Sequence, residues 1–495
     1  MKFIYQDLLR FLKEQPSKAA LSEKLFQLGH EHDIDGEIFD MEITPNRGDC
    51  LSLIGLSRDL NYFYNSKDPF EIYNEELDAL DLDFRNLSIT SCPKITFLEI
   101  EIEDEVCSYK PYLENYFSQL GNKKTNFFTD ISNYISYERG QPTHCFDKKS
   151  ITKDLTFINK LCNENFKTLL GNEIQLEGKN CVFTSGDEII SLAGVMGGES
   201  TSCSENTREV LVECAFFNPE EIIGKSIKYN LKSDAAHKFE RGVDIEAQEK
   251  VLRRFISVVK DHAVIKRLNI KTFNDSEFNK KCLPIDTDKI NKILGTKLPK
   301  EQYIGFLTKL GFEIGDEIKV PSFRSDISSQ NDLSEEVARI IGYDDIKSIP
   351  LNLKRRSKLE QHKISKIEDF FIENGFNEVI NMPFTDIEEK KSILIDNPLD
   401  SNRRNLRTSL KNSLIENLLF NERRQKDSIK LFEISDVYSN ENKIIQEKRL
   451  GIIISGRCGH NHKDFSKKLD RKYLNEILNF NKNKSIFEIE EIPRD

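Results

Sequence analysis

Residues 323–344 read FRSDISSQNDLSEEVARIIGYD and crowd four carboxylates around the start of a predicted helix: Asp326, Asp332, Glu335 and Glu336. Asp332 suits the N-cap position, and Glu335 three residues later would complete a capping box. Glu336 then falls in the first turn, where the helix dipole favours an anion. Capping does not explain Asp326, and clustered carboxylate oxygens also suit Mg²⁺, which takes a few acids and keeps several waters. The residues alone leave both interpretations open.

The same pattern occurs twice in the chain, at residues 25–60 and 307–341. Each copy begins at the end of an amphipathic helix that closes on Leu-Gly, where glycine can form the left-handed cap. A short strand-like run, a Pro, an Arg and an Asp follow in that order, and then a second helix. The pattern predicts two small helix–strand–helix modules, with chance resemblance as the alternative. When Asp49 is aligned with Asp332, the first copy lacks the two glutamates, so only the second is expected to hold a cation.

Length and composition indicate a multidomain α+β protein. A chain of 495 residues exceeds a single core, and residues 85–275 combine short β-like runs with helices. The 72 basic and 83 acidic residues give a net charge of −11, so any nucleic-acid contact must be local. No apolar run is long enough for a membrane span. The ten cysteines form no CxxC pair, which favours reduced, cytosolic thiols over a zinc ribbon.

Two central segments contain candidate functional residues. In SNYISYERGQPTHCFD, residues 132–147, Asn133 lies in a helical run and His144 follows an extended stretch. A single histidine is commonly structural, but neutral imidazole can orient a water or carry a proton. In SLAGVMGGES, residues 191–200, small residues such as Ala193 and Gly194 allow close approach of a ligand to the backbone, or form a tight hairpin.

Glu213 lies within EVLVECAFF, a run typical of a strand. Alternation places Glu213 on the face opposite Val212 and Cys214. A carboxylate at this position could bind a substrate hydroxyl.

The motifs together resemble the β subunit of bacterial phenylalanyl-tRNA synthetase (phenylalanine–tRNA ligase). DMEITPNRGDCLSLIGLSRDL, GQPTHCFD, LAGVMGGE, SDAAHKFERGVD, SDISSQNDLSEEVARIIGYDDI and NLRTSL…LFEISDVY occur in the family's order, over roughly residues 1–440. The resemblance implies a module at 1–84, an α+β editing domain of the B3/B4 type at 85–275, a metal-binding B5-type module at 280–350 and a degenerate class II synthetase-like antiparallel-sheet domain at 355–495. The two modules would thus flank the editing domain.

The resemblance also implies partners and cofactors. Family members form a cytoplasmic (αβ)₂ heterotetramer with an α subunit. The α subunit attaches phenylalanine to tRNAPhe, and ATP is bound mainly by that subunit. The β chain supports that reaction and hydrolyses mischarged Tyr-tRNAPhe. The family's Mg²⁺ ligands fall on Asp326, Asp332, Glu335 and Glu336, and this shifts the expectation from capping to metal.

The family's editing pocket falls on five residues of this chain: Asn133, His144, Ala193, Gly194 and Glu213. Glu213 would accept the tyrosine hydroxyl, as an ionised acid in a charge-assisted bond. His144 and Asn133 would position the ester or a water, and backbone near Ala193 and Gly194 would line the pocket.

Two departures from the family leave alternatives open. The first module has no room for the usual oligonucleotide-binding-fold insertion, and no C-terminal anticodon-binding domain is evident in the sequence. The chain could therefore be a structural subunit with an inert editing pocket, or a free-standing tRNA editing hydrolase.

Overall fold

The computed structural model describes residues 1–274, 279–348, 350, 363–441, 443–458, 467–479 and 489–492. These residues form two compact units, Met1–Pro350 and Leu351–Asp495. Within the described ranges, no helix is both long and apolar enough to cross a membrane.

The first module is a three-stranded antiparallel sheet with helices, in the strand order β1-β3-β2. Its elements are β1 (Lys2–Ile4), α1 (Tyr5–Arg10), α2 (Lys18–Gln27), β2 (Glu31–Asp35), β3 (Ile38–Glu42), α3 (Leu53–Asp59) and α4 (Asn61–Tyr64). Only Gly36 and Glu37 connect β2 to β3, and Gly36 takes the positive φ of 58° that such a tight turn requires.

The central region contains two five-stranded sheets and helices that pack on both of them. Its elements are β4 (Asp78–Ala79), β5 (Phe84–Asn86), β6 (Lys94–Ile102), α5 (Pro111–Leu120), α6 (Phe127–Arg139), β7 (His144–Asp147), β8 (Leu155–Lys167), β9 (Glu173–Ser185), β10 (Glu188–Leu192), β11 (Met196–Gly197), β12 (Glu209–Phe216), α7 (Pro219–Ile222), α8 (Lys225–Lys228), α9 (Asp234–Phe239), α10 (Gln248–His262) and β13 (Ile265–Asn274). The strand orders are β11-β10-β9-β8-β5 and β4-β13-β6-β12-β7. The predicted boundary at residue 84 thus falls inside β5, which pairs with β8 of the central region.

Strand β12 separates two hydrophobic cores by simple alternation. Val212 and Cys214 belong to the core that contains helices α6 and α10. Leu211 and Ala215 belong to the core that contains β8, β9 and β10. Side chains of odd-numbered β12 residues therefore point toward the sheet that contains β8, β9 and β10.

The second module repeats the architecture of the first. Its elements are β14 (Cys282–Pro284), α11 (Thr287–Leu294), α12 (Lys300–Lys309), β15 (Glu313–Ile314), β16 (Glu317–Lys319) and α13 (Gln330–Ile341). The strand order β14-β16-β15 matches β1-β3-β2, and both modules run strand, helix, helix, strand, strand, helix. The structure thus extends the predicted helix–strand–helix pattern by a strand and a helix at the start of each copy, and divides the predicted strand into two.

The second unit is also mixed α and β. Its elements are α14 (Lys363–Glu373), β17 (Asn377–Glu378), β18 (Phe384–Thr385), β19 (Ile393–Leu394), β20 (Asn405–Leu406), α15 (Lys411–Glu422), β21 (Ser428–Asn440), β22 (Ile444–Gly456) and α16 (Arg471–Asn479). The strand orders are β17-β21-β22 and β18-β20-β19. β17 pairs with β21 in parallel, so the sheets of this unit are not purely antiparallel as the sequence predicted. Parts of the predicted domain 355–495 lie outside the described residues.

Candidate functional site

His144 and Glu213 are direct cross-strand partners. His144 begins β7, and its Cα lies opposite that of Glu213 in the antiparallel β7–β12 pair. Residues paired in this way project from the same face of a sheet. Glu213 shares its face with Leu211 and Ala215, so both polar side chains point toward the sheet that contains β8, β9 and β10. This is the face of β12 that alternation predicted for Glu213. The topology thus brings an imidazole and a carboxyl together in an apolar interior.

Burial sets the charge state of this pair. Glu213 is only 4% exposed, and burial raises the pKa of its carboxyl to about 8. Burial lowers the pKa of the His144 imidazole to about 4, and its Nε2 atom is buried without a hydrogen-bond partner among the described residues. At neutral pH both groups are therefore predominantly uncharged. The expectation of an ionised Glu213 is wrong for this environment, because no cation is among the groups that shift its pKa.

A protonated carboxyl offers different hydrogen bonds from a carboxylate. It donates through its O–H group and still accepts through its carbonyl oxygen. Glu213 can therefore bind a hydroxyl group in either direction, provided that the hydroxyl reaches the buried face of β12.

Ala193 and Gly194 lie in the tight turn between β10 and β11. Gly194 takes a φ of 69°, and a side chain there would also crowd Phe217, whose Cδ2 lies 2.9 Å from the Cβ position. The Ser233 hydroxyl, at the N-cap of α9, donates to the carbonyl of Val195 at 2.6 Å. Contacts on both sides thus hold the turn, whose small residues border the core that contains β8, β9 and β10.

Gly197 lies between the imidazole of His144 and the side chain of Leu169. A Cβ atom on Gly197 would overlap Cε1 of His144 and would lie 2.8 Å from its Nε2 and 3.0 Å from Cδ2 of Leu169. The backbone N–H of Leu169 donates to the Gly197 carbonyl at 2.9 Å, which ties the β8–β9 turn to β11. Sequence reasoning did not identify Leu169, because nothing local shows that a hairpin tip folds onto a distant glycine.

Asn133 is set apart from the His144–Glu213 pair. It lies on α6 with an exposed side chain that makes no hydrogen bond to either residue within the described ranges. Its neighbour Ser132 instead connects α6 to the site, because its hydroxyl donates to the Thr143 carbonyl at 2.6 Å. Of the five predicted pocket residues, the structure pairs His144 with Glu213 across β7 and β12. Ala193 belongs to the core that contains β8, β9 and β10, and Asn133 lies on the helix whose Ser132 holds the segment before His144.

The acidic segment at the start of α13 is capped differently from the prediction. Ser329 is the N-cap, and Asp332 is the N3 residue of a capping box. The Asp332 carboxylate accepts hydrogen bonds from the backbone N–H groups of Ser328 and Ser329, both at 2.8 Å. The prediction of Asp332 as N-cap and Glu335 as box partner is wrong, because the helix begins three residues earlier.

Arginines bind two of the other acids. Arg324 donates two hydrogen bonds to Asp326, at 2.9 and 2.8 Å, and one to Glu336 at 2.7 Å. Arg339 also donates to Glu336 at 2.7 Å. Burial alone would raise the pKa of Glu336, but Arg339 and Arg324 lower it to about 2. Glu336 is therefore a buried, permanently ionised counter-ion.

The four carboxylates do not fit a magnesium site in this arrangement. Mg²⁺ needs carboxylate oxygens that converge on one point with room for water. Among the described residues, the only three or more His, Cys, Asp or Glu ligand atoms that lie within 4.8 Å of one another belong to His30, Cys50 and Asp59. That set mixes nitrogen, sulfur and oxygen, which does not suit Mg²⁺. Glu335 is exposed on α13.

Comparisons with known proteins point to one family. The B3/4 domain matches residues 92–264, the tRNA synthetase B5 domain matches 283–343, and the phenylalanyl tRNA synthetase beta chain CLM domain matches 348–479.

Individual relatives match along most of the chain. The phenylalanine–tRNA ligase beta subunit of Clostridium acetobutylicum is 31% identical over 91% of this chain and 60% of its own length. Those of Photorhabdus laumondii and Psychrobacter arcticus are 27% and 28% identical, over 87% and 86% of this chain and 57% and 56% of their own lengths. The chain thus spans between one half and two thirds of the length of these relatives.

A solved N-terminal fragment of the phenylalanyl-tRNA synthetase beta-subunit from Pyrococcus horikoshii aligns with 69% of this chain and 99% of its own. Its identity is 14% and its TM-score is 0.39, a level too low to support a shared fold.

The contact between Gly197 and His144 predicts a spectroscopic effect. Gly197→Ala should displace the imidazole from its buried position, so the pKa of His144 should rise from about 4 toward 6.5. Histidine Cε1–H NMR titration measures this shift. Gly198→Ala is the matched control, because its Cβ would crowd the Ile190 carbonyl at 2.7 Å and not the imidazole. An unchanged His144 titration in Gly197→Ala would contradict this geometry.

The protonated state of Glu213 predicts a pH-dependent stability. Between the unfolded value of 4.5 and about 8, the folded protein keeps a proton that the unfolded chain has released. The contribution of Glu213 to the free energy of unfolding is therefore complete below pH 4.5. It is lost as the pH rises toward 8, by about 1.4 kcal/mol per pH unit. Urea denaturation should show the free energy of unfolding of wild type falling relative to Glu213→Gln across this range. A constant difference would show that Glu213 is ionised throughout.

Proposed function

Because this chain is a homologue of phenylalanine–tRNA ligase beta subunits over most of its length, we propose that it acts as such a subunit. It would support ATP-dependent attachment of phenylalanine to tRNAPhe by an α subunit and hydrolyse mischarged Tyr-tRNAPhe. The order of the B3/4, B5 and CLM domains supports this assignment. The observation that carries the editing role is the cross-strand pair of His144 and the buried Glu213 inside the B3/4 region.

The proposed working complex is a cytoplasmic (αβ)₂ heterotetramer with tRNAPhe as its nucleic-acid partner. ATP, and the Mg²⁺ that accompanies it, would bind mainly to the α subunit. The second unit, which contains the CLM match, would be the class II synthetase-like domain that packs against α. The net charge of −11 implies that tRNA contacts this chain through local basic surfaces or through the partner.

Glu213 would distinguish tyrosine from phenylalanine. The tyrosine hydroxyl would exchange a hydrogen bond with the neutral carboxyl, whereas phenylalanine would leave that buried group unpaired. An unpaired buried polar group costs about 1–3 kcal/mol, and a site that requires a hydrogen bond discriminates more strongly than an apolar pocket does by size. The position of Glu213 between two apolar sheets supports this role, because water cannot easily replace the hydroxyl there.

His144 would hold the water or the ester next to the bound tyrosine. Its neutral imidazole has a buried Nε2 atom with no partner in the described structure, which leaves that nitrogen available for a substrate or water hydrogen bond. The turn at Ala193 and Gly194 would line the pocket with small groups. Asn133 would act from the edge of the site, since its side chain is exposed on α6.

Two substitutions of Glu213 test this function. Glu213→Ala should slow hydrolysis of preformed Tyr-tRNAPhe by about tenfold for each 1.4 kcal/mol of lost interaction. Glu213→Gln should retain most of the rate near pH 7, because an amide, like a neutral carboxyl, both donates and accepts hydrogen bonds. Deacylation is measured with the αβ complex, and phenylalanine charging should stay nearly unchanged in both variants.

Glu209→Ala provides the matched control for this experiment. Glu209 lies on the same strand but is paired with Arg267 at 2.7 Å near the surface, so its loss should leave deacylation intact. If Gln were as damaging as Ala, Glu213 would act as an ionised acceptor. If the wild-type complex did not deacylate Tyr-tRNAPhe at all, the chain would be a structural subunit with an inert pocket.

A further inference from the structure

The two repeat modules place an arginine and two acids in equivalent positions. Ser52 caps α3 and Ser329 caps α13, and an arginine precedes each serine by the same number of residues. Arg47 binds Asp49 through two hydrogen bonds of 2.9 Å, just as Arg324 binds Asp326. The cap positions thus align Asp49 with Asp326.

The helix that follows the cap supplies the second acid in each copy. Arg47 reaches Asp59 at 3.0 Å, and Arg324 reaches Glu336 at 2.7 Å. Asp59 and Glu336 are therefore equivalent. The predicted alignment of Asp49 with Asp332 is wrong, because the two cap serines align Asp49 with Asp326 and give Glu336 a counterpart, Asp59, in the first copy.

Arg339 joins the two copies. Its guanidinium donates to both carboxylate oxygens of Asp59, at 2.9 and 3.0 Å, and to Glu336 at 2.7 Å. It also donates to the Leu28 carbonyl of the first module at 2.9 Å. The Gln27 amide donates to the backbone carbonyls of Arg339 and Ile340, at 3.2 and 3.0 Å. One arginine of the second module is thus bound to the first through both side chain and backbone.

Every acid of this cluster is paired with an arginine without an added cation. Three arginines, Arg47, Arg324 and Arg339, donate to four acids, Asp49, Asp59, Asp326 and Glu336. The imidazole of His30 also donates to Asp59, at 2.7 Å. The arginines and the two helix acids are each no more than 6% exposed at the side chain.

A metal ion at Asp326 and Glu336 would break these ion pairs. A cation bound to Asp326 and Glu336 would have to displace Arg324 and Arg339. Arginine cannot lose its proton in a protein, so the displaced guanidiniums would be left charged and buried.

We infer that residues 323–344 hold no divalent cation of their own, and that Asp326 and Glu336 serve with Asp59 as counter-ions of the arginines that lock the two repeat modules together. This inference does not depend on the proposed function. It disagrees with the metal site that the family resemblance implies.

Thermal unfolding of the full chain tests the inference, in EDTA and over a Mg²⁺ titration. The wild-type Tm should be the same in EDTA and in Mg²⁺, both for the chain alone and for its complex with the α subunit. Glu336→Gln and Asp59→Asn should each lower the Tm by about 5 °C or more, because each leaves buried guanidiniums underpaired. Asp59 is not one of the predicted metal ligands, so a lower Tm in Asp59→Asn can be explained only by the loss of its ion pairs with the arginines.

Glu335→Gln is the matched control, because Glu335 neighbours Glu336 on α13 but is exposed. It should leave the Tm within about 1 °C of wild type, as surface substitutions do. A Mg²⁺-dependent rise in Tm that Glu335→Gln abolishes would overturn the inference. If Glu336→Gln or Asp59→Asn failed to fold, the Mg²⁺ titrations of wild type and Glu335→Gln would still decide between the two interpretations.

Discussion

The hydrogen bonds from Arg339 to two acids, Asp59 and Glu336, hold the two repeats of the first compact unit together. They tie α3 of one repeat to α13 of the other, and every group in them is buried. From α3 the constraint reaches the candidate site, because Ser52 at its N-terminus packs against Gly140 at the end of α6. α6 in turn fixes Thr143, the residue before His144, through Ser132. The repeats thus form a frame on which the central sheets position their polar pair.

Two buried glutamates in this frame show how neighbours decide chemistry. Glu213 and Glu336 are 4% and 3% exposed, yet the pKa of the first is raised to about 8 and that of the second is lowered to about 2. Burial acts on both in the same direction, and only Glu336 has arginines beside it. A charged, fully paired glutamate suits a structural joint. A neutral glutamate without a cation beside it suits recognition of an uncharged hydroxyl, and this contrast separates the structural acid from the proposed functional one.

The sequence predicts local features of this protein better than long-range pairings. Alternation placed Glu213 on the correct face of β12, and the Leu-Gly and Pro-Arg-Asp patterns identified the repeat. The spacing of acids in 323–344 could not show that Arg324 and Arg339 fold back onto them, nor that Asp59 from another module completes the set. Ser329 took the N-cap in place of Asp332, because either residue suits that position and the helix start is set by tertiary contacts. Leu169 meets Gly197 only through a hairpin register that no local pattern encodes.

Crystallography can test directly whether arginines or a metal ion bind the acids between the two repeats. Crystals of the full chain grown with Mn²⁺ in place of Mg²⁺ would reveal any bound cation through anomalous scattering. No anomalous peak is expected between Asp326 and Glu336, and Arg339 should be bound to both oxygens of Asp59. A Mn²⁺ peak coordinated by Asp326 and Glu336, with Arg324 and Arg339 turned away from them, would contradict this expectation.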